Sequence, residues 1–162
     1  MMLSEETKAR FAREVAKFPA DQKQSAVMAC LSIVQQEQGH VSAEAEEAIG
    51  AYLGMAPIAV REVTTFYNMY NQQPVGKYKL NVCTNLPCQL RDGQKALEHL
   101  CHKLGIEDGG TTPDGLFTVA KCECLGACAD APVMLVNDRQ MVSYMSNERL
   151  DELVDVLKAQ AK

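Results

Sequence analysis

Two short cysteine pairs constrain this 162-residue chain more than any other feature. Cys83 and Cys88 frame VCTNLPC, with four residues between them, and Cys124 and Cys128 frame CLGAC, with three. Each pair stands where a predicted strand runs out into a loop, and loops at strand ends are where an α/β domain places a site. A chain with 35 residues between the pairs can bring both loops to one sheet edge and so present four thiols together.

The remaining composition narrows what those thiols do. Formal net charge is −5, and no run of Lys and Arg offers a nucleic-acid footprint. The N-terminus, MMLSEETKARFAREVAKF, carries acidic residues where a signal peptide would be positive, and no stretch approaches the roughly 18 consecutive apolar residues of a membrane span. The expectation is a cytoplasmic protein, peripheral on the inner side of the membrane if it joins a larger assembly, with no direct membrane insertion. In that compartment thiols stay reduced, so seven cysteines point to metal before disulfides.

The first half of the chain reads as helices. Ser4 caps a helix bearing Phe11, Val15 and Phe18 and stopped by Pro19. Asp21 and Gln24 have capping-box spacing for a second helix, whose stripe is Val27, Cys30, Leu31 and Val34, ending at Gly39. Ser42 opens a third, closed by Gly54, and Pro57 opens a fourth that carries Val60, Val63, Phe66, Tyr67 and Tyr70. The aromatic run TFYNMY reads as helix core or an interface patch.

After the linker-like NQQPVGK the pattern changes. Tyr78, Leu80 and Val82 alternate with Lys79 and Asn81, the period of a half-buried strand. A helix closed by Gly105 is predicted over 88–104, a strand over 116–120, a hairpin around Asn137–Gln140, and a final helix capped by Ser146 or Asn147. The expected fold class is α+β: an N-terminal helical bundle, residues 1–73, followed by a thioredoxin-like α/β domain, residues 74–162.

Four thiolates are what a binuclear iron–sulfur cluster requires, two for each iron. Gly126 and Ala127 permit close backbone approach in the second loop, and Pro87 fixes the first loop before Cys88, which a helix N-terminus would help to ionise. Zinc also accepts four cysteines and stays open as an alternative, although structural zinc favours two-residue knuckles. A redox dithiol would need a C-x-x-C pair, which the sequence lacks. Cys30 and Cys101 fall on core stripes of predicted helices, Cys122 alternates onto the face of Ala120 and Thr118, and His40, His99 and His102 are scattered; none is assigned a ligand role. There is no GxGxxG, no P-loop and no nucleophile–base pair, so no catalytic residues are expected and an electron carrier of this kind implies a partner.

VREVTTFYNMY, VCTNLPCQLRDG and TTPDGLFTVAKCECLGACADAPVMLVND together resemble the 24-kDa subunit family of respiratory complex I, the bacterial NADH:quinone oxidoreductase, over nearly the whole chain. The resemblance implies one 2Fe-2S cluster on Cys83, Cys88, Cys124 and Cys128, with Cys122 just outside the ECLGAC pattern. It also implies a partner subunit that binds FMN and NADH, other peripheral-arm subunits around it, and electron exchange between the cluster and that flavin. Related subunits occur in diaphorase modules of NAD-linked hydrogenases and formate dehydrogenases, so these assemblies, and a purely structural metal-stapled subunit, stand as alternatives.

Overall fold

A computed structural model describes residues 3–161 and divides the chain into two compact units between Pro74 and Val75. In the first unit, helix α1 spans Glu5–Val15, and the Thr7 amide donates to the Ser4 hydroxyl at its N-cap, 3.0 Å away. Helices α2 (Val27–Gln38), α3 (Ala43–Leu53) and α4 (Pro57–Phe66) follow; α2 and α3 end at Gly39 and Gly54, both in the left-handed conformation that glycine adopts without strain. Phe11, Leu31, Val34, Ile49, Leu53, Val60 and Tyr70 meet in one apolar core.

Three expectations for this unit are corrected. The capping box at Asp21 does not form, because Ala20–Ala26 is a 3-10 turn kinked at Gln22, and the Gln24 amide donates instead to the Gly54 carbonyl at 3.0 Å. Phe18 lies beyond the end of α1 and is exposed. The aromatic run splits, since α4 stops at Phe66: Phe66 is 79% exposed and Tyr67 also faces solvent, whereas Tyr70 is buried with its hydroxyl on the Met28 carbonyl, 2.9 Å away.

The second unit is a four-stranded mixed sheet in the order β2-β1-β3-β4, built from β1 (Tyr78–Cys83), β2 (Phe117–Cys122), β3 (Met134–Val136) and β4 (Gln140–Val142). β1 runs parallel to β2 and antiparallel to β3. A short helix α5 (Leu86–Gln89) follows β1. Helices α6 (Gly93–Leu104) and α7 (Asn147–Gln160) pack Leu97, Leu100, Leu150 and Val154 against Leu80, Val82, Phe117 and Val119, with Ser146 capping α7.

β1 is buried on both faces rather than half-buried. Its central place in the sheet puts Lys79 and Asn81 out of water, and the hairpin turn supplies a partner to both: Asp138 sits 3.0 Å from the Lys79 ammonium and accepts from the Asn81 amide at 2.6 Å. Asn137 and Asp138 hold that turn with φ of 52° and 55°, a region these two residue types tolerate. The helix predicted over 88–104 is two helices, α5 and α6, broken at Asp92 where φ is 66°, and Leu90 in the break is exposed. β2 extends to Cys122, two residues further than its alternation indicates, because Cys122 pairs in register with Cys83 at the end of β1.

Candidate metal centre

β1 and β2 end side by side, with one cysteine pair at and just beyond the end of β1 and the other beyond the end of β2. Cys83 is the last residue of β1 and is 1% exposed; its amide donates to the Val133 carbonyl at 3.1 Å. Cys88, also 1% exposed, lies in α5 immediately after the loop. Val133 and Ala131 close over these two thiols, with Cys122, Leu125 and Ala127 packed against them from β2 and the second loop. Cys124 and Cys128 are exposed, and their sulfurs are 3.5 Å apart.

Two glycines make this arrangement possible, each for a different reason. A β-carbon at Gly93 would stand 2.8 Å from the carbonyl oxygens of both Cys83 and Cys88, so the start of α6 presses directly on the backbone of both residues. Gly126 has φ of 81°, which turns the Leu-Gly-Ala segment so that its amide donates to the Cys124 sulfur at 3.4 Å. Neither role follows from a periodic pattern. The Asp-Gly dipeptide inside the predicted helix was the available signal for the first, since such a pair ordinarily marks a break.

The two pairs lie within electrostatic reach of each other. Burial raises the Cys88 thiol above its ordinary range, with the neighbouring Cys83 and Cys128 adding to the rise. The hydrogen bond with Cys124 raises Cys128, and Cys83 contributes there as well. Thiols that resist ionisation while close together are the setting in which bound cations, by favouring thiolates, displace protons. Among the described residues no three donors converge on one point, and the thiols are arranged as pairs. A binuclear cluster draws two thiolates to each iron, and the donor set, the apolar lining of Cys83 and Cys88 and the Gly126 amide directed at the Cys124 sulfur fit that group.

The other cysteines lie apart from this constellation or beside it. Cys30 is buried in the helical core, where burial pushes its thiol up to about 12. Cys101 packs on α6 against the core of the second unit. Cys122 is half-buried beside Cys83, and burial first, then the Cys83 charge, pushes it up to about 12. The His99 ring is hydrogen-bonded to the Asp151 carboxylate on α7 at 2.8 Å, and His40 contacts the Gln38 carbonyl, so neither joins the site. Two polar ties near the site went unread in the sequence, Asn85 to Glu123 and Tyr144 to Asp130.

Fold and sequence together define a protein with a thioredoxin-like sheet and two cysteine pairs beyond adjacent strand ends. The model of the thioredoxin-like [2Fe-2S] ferredoxin family matches residues 11–158, and the chain belongs to that family. It is similar to NADH-quinone oxidoreductase subunit 2 of Thermus thermophilus, at 42% identity over 144 residues covering 89% of this chain and 80% of the relative. It is similar also to an NADH-quinone oxidoreductase subunit of Rhizobium meliloti, at 40% identity over 147 residues covering 89% and 84%. Among solved structures, a chain of an NAD+-reducing [NiFe]-hydrogenase in the air-oxidized state superposes with a TM-score of 0.70 at 23% identity, covering 85% of this chain and 23% of that one, a likeness of fold.

Proposed function

We propose that this chain is the iron–sulfur electron-transfer subunit of an NADH:quinone oxidoreductase, carrying one 2Fe-2S cluster on Cys83, Cys88, Cys124 and Cys128. The observation that supports the reading is that the two cysteine pairs are carried by the segments leaving adjacent, parallel strand ends in a member of a [2Fe-2S] family. When bound, the cluster supplies a one-electron couple. The chain's own part is to hold two thiolates in an apolar pocket and two at the surface, and to aim a backbone amide at a ligand sulfur. The chain acts as a subunit within an enzyme whose nicotinamide and flavin are held by its partner.

The electron partner is a subunit that binds FMN and NADH, and the relatives' names as subunits of an NADH-quinone oxidoreductase support an assembly of this kind. The domain of residues 74–162 bears the cluster, and the helical region of residues 1–73 is assigned to partner contacts. Among the described residues no helix is long and apolar enough to cross a membrane. The place assigned to the chain is peripheral, on the inner face, through its complex. A diaphorase module of a hydrogenase has a fold likeness alone in its favour, at 23% identity, whereas the oxidoreductase relatives reach 42%. Co-purification from the native host tests the assignment: a flavin-containing, NADH-oxidising partner is expected, and a hydrogenase large subunit in its place would overturn it.

A further inference from the structure

The loop between β2 and β3 presents Cys124 and Cys128 to solvent while Leu125, Ala127, Ala131 and Val133 pack inward. Each end of it is also fastened. At the front, Asn85 occupies the N-cap position of α5, where an asparagine ordinarily accepts from a helix amide, yet its side chain makes no such bond. Its amide donates instead to the Glu123 carboxylate at 2.7 Å, joining the loop of the first cysteine pair to the residue before Cys124. At the back, the Tyr144 hydroxyl donates to the Asp130 carboxylate at 2.6 Å, and the Tyr144 amide donates to the Asp130 carbonyl at 2.8 Å. Tyr144 holds φ at 54°, a conformation that a bulky aromatic keeps only where its surroundings fix it. Asp130 closes the short turn that begins at Cys128.

We propose that Glu123 and Asp130 are positioning residues that hold the exposed ligand loop from both ends, Glu123 through Asn85 and Asp130 through Tyr144. Their carboxylates flank the two exposed thiols by one and two residues, so they also place negative charge beside the centre. Geometry separates the two effects. Asn85→Ala and Tyr144→Phe delete a tie and leave both charges in place. Glu123→Gln and Asp130→Asn keep an oxygen that accepts the same hydrogen bond and remove a charge.

The inference rests on the four-cysteine ligand reading, and the test distinguishes the failure of one from the failure of the other. The full chain is loaded with its cluster, and iron release to a colorimetric chelator is timed alongside a redox titration and a paramagnetic-resonance spectrum of the reduced protein. N85A and Y144F are expected to release iron about threefold faster each and about tenfold faster together, on the scale of one surface hydrogen bond apiece. E123Q and D130N are expected to release iron at the wild-type rate while their midpoint potentials rise, because a nearby negative charge disfavours the reduced state. Wild-type release rates in both N85A and Y144F would overturn the proposal with the ligand reading intact, as would release from E123Q and D130N as fast as from the tie deletions. A wild-type chain that takes up no iron and sulfide would overturn the ligand reading itself.

Discussion

Gly93 has no room for a β-carbon, and that single fact links the helix that follows the site to the site itself. Gly93→Ala must push the start of α6 away from the Cys83 and Cys88 carbonyls, at a cost of about 2 kcal/mol by the scale of overpacked contacts. The expected result is a lower denaturation midpoint together with reduced iron content; a variant as stable and as fully loaded as the wild type would remove Gly93 from the account. Among the cysteines, Cys124→Ser is expected to lose or badly perturb the cluster, while Cys122→Ala retains it. Absorbance and paramagnetic-resonance spectra of the two variants decide this, and equal loss in both would contradict the ligand assignment. At this scale the sequence was partly legible. Spacing alone singled out two cysteine pairs, because ligands on short loops leave a local signature. Gly93, Asn85 and Tyr144 left none that periodicity could find, since each acts on a residue brought to it by the fold.

β1 is the element on which both the site and the sheet depend. Its polar residues are buried against Asp138, and removing that carboxylate takes an anionic partner from an ammonium and an amide in the interior. Asp138→Ala is expected to cost about 2 kcal/mol in chemical denaturation, the range for taking the partner from a partly buried, hydrogen-bonded charged group. A loss under about 0.5 kcal/mol would show that water reaches Lys79 after all. Helices α6 and α7 are joined by Asp151, which lies 2.8 Å from His99 and 3.0 Å from Lys103, and these partners, His99 first, hold its carboxyl below the usual range. A depressed folded pKa contributes stability above the unfolded carboxylate value and loses it as pH falls through the folded one. Stability should therefore decline with acidification below about pH 4, and Asp151→Asn should flatten that slope. An unchanged slope in the variant would assign acid sensitivity elsewhere.

Elements with strong local signals match the sequence pattern: the Ser4 and Ser42 caps, the glycine stops at Gly39, Gly54 and Gly105, and the turn at Asn137 and Asp138, while of the two candidate caps for α7 it is Ser146 that bonds. The misreadings share a cause. The alternation in β1 named the right strand and the wrong burial, because whether a strand is central is decided by its neighbours. The α5–α6 break and the 3-10 start before α2 likewise follow from contacts made across the fold, Gly93 against the cysteine backbone and Gln24 against Gly54.

On the scale of the whole molecule, two compact units each carry a core of their own, and all four proposed ligands fall within the second. A chain with net charge −5, with Glu123 and Asp130 beside the centre, should hold its cluster at a low potential. A midpoint below about 0 mV is expected in a redox titration, and one above it would contradict the electrostatic picture. The paired cysteines are proposed to hold an electron-carrying cluster. Iron, sulfide and zinc analysis of anaerobically purified protein, with spectra before and after dithionite, tests it most directly. Two irons and two sulfides per chain are expected, with an absorbance that bleaches on reduction and a paramagnetic signal that appears with it. One zinc per chain and a silent spectrum would contradict it, and would leave the four cysteines as a structural staple.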